Sequence, residues 1–574
     1  MSELMIKKID DNKQGIKRFQ EDIDNDRVSK YLSEYPVVYI HNWKNKQYEV
    51  YIGEANDIVR RTKQHLKGKK TWQKGLSRNK AQLYIIGDKY FNKSMTLDLE
   101  NRLMHYMLGV DCIKKIHNAR GNPQSSYYDN SKADKVFKKV WEELGEYDKE
   151  LFPDEEQIRD SAIFKASPLH ELNDEQIEAK RIILEKIEKA SEKTKRGNIV
   201  FIQGEAGTGK TVLNSSVFYD LYCENREKET KFNSVMLVNH SEQLKVYNQI
   251  AKKLGMQTKQ NDVVKTPTSF IHQTSTRKPV DVAFVDEAHL LLTQSNRGYR
   301  GGNHLEDIRD RAKVVVIMFD ENQILRTDQY WEAKEIKKYK KMAKDKNTYI
   351  ELTEQMRIQA EDEVVDWIDT FTKEQEIKKL EKSNRKYDIQ ICDSPREVER
   401  LIKDKAARED SSLSRMIATY DWEYVDKEKN KKRQNDRFAN YWVVEIGNWV
   451  KPWNYQISKN TDKETDSELA WAEQKETINE VGSTFTIQGF DLSYSGVILG
   501  PSVTYRDGKI VFDRTKSYNK KAIQNRTYSD KDVRNFADEL LQHEVRVLMT
   551  RGVKGLYIYA CDDELQNALK EAIE

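Results

Sequence analysis

The stretch Gly204-Glu-Ala-Gly207-Thr208-Gly209-Lys210-Thr211, entered from the apolar run Asn198 to Gln203, decides the fold. It reads G-x-x-x-x-G-K-T. A buried strand, a glycine-rich turn and a helix start, in that order, let backbone N–H groups wrap a phosphate chain, with Lys210 reaching the β- and γ-phosphates and the Thr211 hydroxyl on Mg²⁺. The pattern predicts an α/β unit that binds ATP or GTP. A second apolar strand, Val280 to Val285, ends in Asp286-Glu287-Ala288-His289. Paired carboxylates at a strand end suit Asp286 to holding Mg²⁺ and Glu287 to orienting or deprotonating an attacking water, so hydrolysis is expected and not binding alone.

Composition sets bounds around these motifs. The 574 residues suggest several domains, each able to bury a core. Lys and Arg number 98 against 95 Asp and Glu, so any nucleic-acid contact must come from local grooves and not from a global field. Cys112, Cys223, Cys392 and Cys561 are isolated, without the close spacing of a zinc site, which fits a reducing compartment. Charges crowd the first residues where a signal peptide needs an apolar core, and runs such as Val314 to Phe319 are too short to span a bilayer. A cytoplasmic chain without a membrane partner is expected.

Residues 1–34 are polar with helical spacing and read as an N-terminal arm. From 35 to 122 a compact α/β pattern follows: strands Val37 to Ile40, Tyr48 to Ile52 and Leu83 to Ile86, a basic helix from Asp57, and a helix around Thr96 to Leu108. Residues 123–170 read as a linker with a connecting helix, Val136 to Phe152. Beyond, strands alternate with helical patterns through Ile199 to Gln203, Val235 to Val238, Val282 to Val285 and Val314 to Phe319, with a second series from Tyr349. This predicts two doubly wound parallel-sheet lobes, 171–347 and 348–574.

The short motifs behind the phosphate loop follow an order that resembles superfamily 1 helicases over roughly residues 171 to 574. Leu172 to Gln176 is similar to the motif in which a Gln reads the adenine edge, so Gln176 implies ATP over GTP. Phe319 to Gln323 resembles the motif whose Gln senses the γ-phosphate. Leu352 to Arg357 and Val547 to Lys554 resemble the motifs that bring Arg357 and Arg551 to the cleft between lobes. A cation delivered by the second lobe suits a reaction that concentrates charge on the γ-phosphate. Thr486-Ile-Gln488-Gly489 resembles the turn linking cleft and strand track, and Val238 to His240 with Thr266 to Ser269 occupy the places of single-strand contacts. The second lobe, with Ile417 to Trp422 and Trp449 to Tyr455, looks most like an uncharacterised bacterial P-loop family related to the Schlafen helicase-like domain, without large accessory insertions. The resemblance implies two RecA-like lobes.

In residues 35–122, Val37-Val38-Tyr39 and Tyr51-Ile52-Gly53 lie on successive strands, then come Arg61 and His65 one helical turn apart, Glu100 on a later helix, and Asn118. This order resembles the GIY-YIG nucleases, with Val37 where the first signature carries Gly. The resemblance implies hydrolysis of a phosphodiester with one Mg²⁺ or Mn²⁺: Glu100 as metal ligand, Arg61 on the scissile phosphate, and Tyr39, Tyr51 and His65 to position or deprotonate water. The combined reading is an α/β multidomain, ATP-dependent DNA nuclease-helicase or translocase, with defence against foreign DNA as its setting. RNA, self-association and an accessory protein stay open as partners. So do two other roles: a nuclease fold that only binds, and a nucleic-acid-sensing ATPase that switches the nuclease without translocating.

Overall fold

The computed structural model describes residues 4–573 except 26, 79, 119–129, 192–195, 229–231, 258–261, 355–361, 381–385, 409–412, 426–427, 432, 434–436, 455, 457–468 and 529–530. The chain forms two compact units. The first comprises Met1–Leu172 with Ser215–Lys231 and Tyr247–Val263, and the second Asn173–Asn214, Phe232–Val246 and Val264–Glu574. No helix among the described residues is long and apolar enough to cross a membrane.

In the first unit β1 (Met5–Asp10), β2 (Val37–Lys44), β3 (Tyr48–Ala55), β4 (Gln82–Gly87) and β5 (Ile113–Ile116) form a sheet in the order β1-β4-β2-β3-β5. All pairs are antiparallel except β3 with β5. β2 is buried from Val37 to Trp43, and Val37, Tyr39, Leu83 and Ile85 pack with Ile16 and Phe19 of the helix Lys13–Asp24. Asp57 caps the helix Ile58–Lys67 by accepting from the Arg60 N–H at 2.9 Å, which sets Arg61 and His65 on one face.

Two expectations are corrected here. Residues 1–34 are not a detached arm, because β1 pairs with β4 from Met5↔Gly87 to Asp10↔Gln82 and the helix Lys13–Asp24 joins the core. An edge strand stays half in water and tolerates lysines, so its composition hides it. The described part of 123–170 holds the helix Asn130–Tyr147, which starts before the expected Val136. Its Phe137 and Trp141 rings pack on Tyr106, so this helix is part of the unit and not a free spacer.

The second unit carries two parallel sheets. β6 (Asn198–Gly204), β7 (Ser234–Val238), β8 (Val264–Lys265), β9 (Val280–Asp286), β10 (Ala312–Phe319) and β11 (Tyr349–Leu352) are ordered β11-β6-β10-β9-β7-β8. The second sheet uses β12 (Asp388–Ile391) and β13 (Arg415–Ala418), followed in the chain by the hairpin β14 (Val443–Ile446) and β15 (Trp449–Pro452). It continues with β16 (Val481–Gly482) and β17 (Leu492–Leu499). After the hairpins β18 (Val503–Arg506) with β19 (Lys509–Phe512) and β20 (Arg526–Thr527) with β21 (Val533–Arg534), β22 (Gly552–Ala560) closes the order β12-β22-β17-β13-β16. β9, β10 and β17 are buried almost from end to end, as strands covered on both faces are. The lobe boundary expected at 347/348 is corrected, since β11 pairs with β6 from Tyr349↔Phe201 to Leu352↔Gly204 and belongs to the first sheet. Four residues with no distinguishing pattern do not reveal which sheet they will extend.

Candidate functional site

The carboxyl ends of β6, β9 and β10 are neighbours, and in an open α/β sheet that is where ligands bind. Gly207 and Gly209 take φ of 93° and 73°, a left-handed conformation that turns successive N–H groups toward one centre ahead of the helix Lys210–Glu227. The Lys210 side chain, 7 % exposed, donates to the Gly204 carbonyl at 2.8 Å and the Glu205 carbonyl at 2.7 Å, and lies 3.6 Å from Asp320 Oδ2. A Cβ on Gly204 would meet Thr208 Oγ1 at 2.5 Å, so the strand enters this loop only as glycine.

At the end of β9, Thr211 Oγ1 donates to Asp286 Oδ2 at 3.2 Å, and Gln243 Nε2 donates to the same oxygen at 2.9 Å. Glu287 adopts φ 49°, ψ 52°, a conformation that costs a non-glycine residue about 1–3 kcal/mol and is concentrated at functional sites. Its buried Oε2 makes no hydrogen bond, although His289 Nε2 lies 3.4 Å away. Burial lowers the His289 pKa against the pull of Glu287 and Asp320, so this ring stays neutral. A hydroxyl and a carboxylate side by side, with an unpaired carboxylate oxygen next in the chain, fit a nucleotide-bound Mg²⁺ on Thr211 and Asp286 and a water at Glu287.

A hydrogen-bonded chain crosses from one sheet to the other. Gln323 Nε2 donates to Asp320 Oδ2 at 2.6 Å, while its Oε1 accepts from Arg551 Nη2 at 3.0 Å. Burial raises the Asp320 pKa, but the Lys210 charge, the Gln323 hydrogen bond and the Arg546 charge outweigh it and the carboxyl stays ionised, below its usual range. Arg551, with 0 % exposure, also donates to the carbonyls of Val547 and Phe490 at 2.9 and 3.2 Å. Gly489, at φ 82°, abuts Gln243, and Gln488 Nε2 donates to the Gln323 carbonyl at 3.0 Å. Gln176 is buried behind the loop, where its Nε2 donates to the Thr208 carbonyl at 3.2 Å and its Oε1 accepts from the Asn173 N–H at 3.1 Å. Its amide therefore holds the loop backbone. Arg357 lies outside the described residues.

The expected single-strand contacts bind protein groups. Asn239 donates to the Leu290 carbonyl, His240 meets the Phe485 carbonyl at 3.1 Å, Thr266 caps the helix Pro267–Gln273, and Thr268 meets His304 at 3.1 Å. Tyr455 lies outside the described residues. Sequence reading missed Gln243, Lys373 and Arg546, which reach the cleft, and assigned no role to Gln488 and His289, which also reach it. His289, inside the Asp286 motif, and Gln488, inside the motif Thr486-Ile-Gln488-Gly489, carried a signal; the other three did not.

In the first unit, Tyr39 Oη lies 3.0 Å from His65 Nε2 and accepts from Arg61 Nε at 3.3 Å. Tyr39 pairs across the ladder with Gly53, where a Cβ would stand 2.5 Å from the phenol oxygen. Glycine there lets the Tyr39 ring lie across β3. Tyr51 stacks on Trp72 with centroids 4.2 Å apart and sits 5.1 Å from the His65 ring. Asn118 donates to both the Ile52 carbonyl and Glu100, whose side chain is buried. Burial raises both phenols; Glu100 adds to that at each, and Arg61 opposes it. Burial, then His41 and Arg61, bring His65 down to about 3, so the ring is neutral. Tyr39, Tyr51, Arg61 and His65 thus form one cluster, and Glu100, bonded by Asn118, lies close enough to raise both phenols. Sequence reading missed His41, two residues along β2 from Tyr39 and 2.6 Å from Asp11; strand alternation signals its face. Among the described residues no group of three or more ligating side chains occurs. Glu100 would be the protein's own donor, and Mg²⁺ is often held by one carboxylate with waters and substrate phosphate completing its shell.

This architecture is that of a helicase-like P-loop ATPase of α/β fold with parallel sheets. The chain belongs to the family described as Schlafen group 3, DNA/RNA helicase domain, whose model matches residues 197–562. It is 32 % identical over 404 residues to an uncharacterised protein of Saccharomyces cerevisiae, YPL245W, covering 64 % of this chain and 83 % of that one. Among solved structures, a DEAD-box helicase, Mss116, bound to ssRNA and UDP-BeF is similar at 11 % identity and a TM-score of 0.32, covering 70 % of this chain and 77 % of that one.

Proposed function

We propose that the chain is an ATP-dependent nuclease-helicase or translocase acting on DNA. The observation that carries the motor half is the path Lys210–Asp320–Gln323–Arg551, which makes the second lobe part of the phosphate site. Hydrolysis that depends on an arginine from the opposite lobe is tied to lobe movement, the requirement for pulling a strand. Bound Mg²⁺ would neutralise charge on the phosphates. Lys210 binds the phosphate chain, Glu287 Oε2 accepts the proton of the attacking water, and Arg551 takes up charge at the terminal phosphate. A nucleic-acid substrate is supported by the family's DNA/RNA helicase description, and DNA over RNA by the nuclease resemblance.

The nuclease half rests on the pocket of the first unit. A divalent metal at Glu100 would polarise the scissile phosphate. Arg61 offers it a cation, and Tyr39, held between His65 and Arg61, orients the water and passes on its proton. Water oxygen bonds to phosphorus as one ester P–O bond breaks, and the leaving oxygen is protonated. The four cysteines are free thiols, which suits a reducing cytoplasm, and a cutter governed by an ATPase suits defence against invading DNA.

The test is Mg²⁺-dependent nicking of one plasmid by wild type, Glu100→Ala and Lys210→Ala, with and without ATP. Wild type should nick, Glu100→Ala should not, and Lys210→Ala should lose the ATP response alone. No metal-dependent nicking by wild type would leave the first unit as a binding module. Equal cutting with and without ATP by wild type and Lys210→Ala would make the two activities independent.

A further inference from the structure

The second residue of the phosphate loop, Glu205, is not required by the loop pattern, which leaves that position free. Its carboxylate is nonetheless gripped by two cations of the second lobe. Arg546 Nη2 donates to Glu205 Oε2 at 2.7 Å, and Lys373 Nζ lies 3.0 Å from Oε1 and 3.3 Å from Oε2. The other arm of Arg546 is tied to Asp369 and to Thr372 Oγ1 at 3.3 Å. Lys373 also donates to Asp369 at 2.8 Å.

These cations sit on a stiff frame. Lys373 belongs to the π-helix Thr370–Glu374, a rare form that is frequent at functional sites. The carbonyls of Thr372 and Lys373 accept from Gln542 Nε2 at 2.7 and 3.0 Å, and Gln542 shares the helix Ala537–Met549 with Arg546. Glu205 is different, with a side chain 47 % exposed against 8 % for Arg546. A pair open to water on one side contributes at most about 1 kcal/mol, too little to count as a fold-holding contact. A phosphate carries more charge and more acceptors than a carboxylate and suits the guanidinium fork. The Glu205 carbonyl already holds the Lys210 ammonium, so the same residue borders the phosphate site through its backbone.

We propose that Arg546 and Lys373 are phosphate-binding cations of the second lobe, for which the Glu205 carboxylate competes with the terminal phosphate of a nucleoside triphosphate. Glu205 then weakens triphosphate binding and reclaims the cations once the terminal phosphate has left. The proposal rests on reading the cleft as an ATPase site.

The experiment measures affinity of the full chain for fluorescent, non-hydrolysable ATP and for fluorescent ADP, with Mg²⁺. Glu205→Gln should tighten the ATP analogue about tenfold, the size of one charge-assisted hydrogen bond, and leave ADP nearly unchanged. In the Arg546→Gln/Lys373→Gln background the same substitution should gain nothing. If that background does not fold, Lys373→Gln alone should still show a reduced gain. An unchanged or weaker ATP analogue in Glu205→Gln, an equal gain for ADP, or a full gain without the cations overturns the proposal. A wild type that binds neither analogue, with Lys210→Ala indistinguishable from it, overturns the ATPase reading and the proposal with it.

Discussion

The nucleotide cleft and the tyrosine pocket are built in opposite ways. In the cleft, Lys210, Thr211, Asp286, Glu287 and Asp320 sit at or just beyond the carboxyl ends of parallel strands, where short contiguous motifs place them together and the side chains of Lys210, Thr211, Asp286 and Asp320 are hydrogen-bonded. In the pocket, Tyr39 and Tyr51 project from the middle of antiparallel strands, while Arg61 and His65 arrive on one helix and Glu100 on another. A site at strand ends is robust to changes in its sheet. A site in the middle of strands depends on every neighbour across the ladder.

The sharpest break of that comparison is at Arg551. Arg551→Ala should cut ATP turnover by about a hundredfold or more while much of the nucleotide affinity remains, because such a contact strengthens in the transition state. Arg551→Lys, which keeps a buried cation, separates this from loss of fold. Equal losses in binding and turnover would make Arg551 structural. A smaller effect is expected in the pocket from Gly53→Ala, where the added methyl must displace the Tyr39 phenol. Metal-dependent nicking should fall by about ten- to a hundredfold, the cost of a reacting group shifted by up to about an ångström. Unaltered nicking would remove Tyr39 from the chemistry.

A separate effect concerns stability. Burial, then Asp421, pushes Glu544 up to about 8, and the Tyr420 N–H and Asn519 only partly offset this. The folded chain therefore keeps a proton that the unfolded chain loses above the usual carboxyl value. Stability should fall as pH rises from about 4.5 to about 8, by at most about 1.4 kcal/mol per pH unit, and level off beyond. Glu544→Gln should flatten that slope in denaturant melts. An unchanged slope would refute the buried proton.

What could be read from the sequence follows the same division. The phosphate loop and the Asp286 pair were legible because backbone geometry forces glycines and carboxylates into fixed spacing, and the long Val- and Ile-rich strands announce a parallel sheet. β1 and β11 were not, since an edge strand carries little apolar pattern and pairing partners lie far away in sequence. The pocket was reached only through the order of Tyr39, Tyr51, Arg61, His65, Glu100 and Asn118. Gln243, Lys373 and Arg546 escaped because a polar residue on a helix looks the same whether it meets water or a phosphate loop.

The most direct test of the central claim, an ATPase whose chemistry resides in the strand-end site, compares Glu287→Gln with Lys210→Ala. Both should lose ATP turnover, by different routes: Gln at 287 keeps shape without a base, whereas Lys210→Ala removes the charge on the phosphates. After mixing with ATP and rapid desalting, Glu287→Gln should retain bound ATP and Lys210→Ala should retain none. Near wild-type hydrolysis by Glu287→Gln would contradict the account.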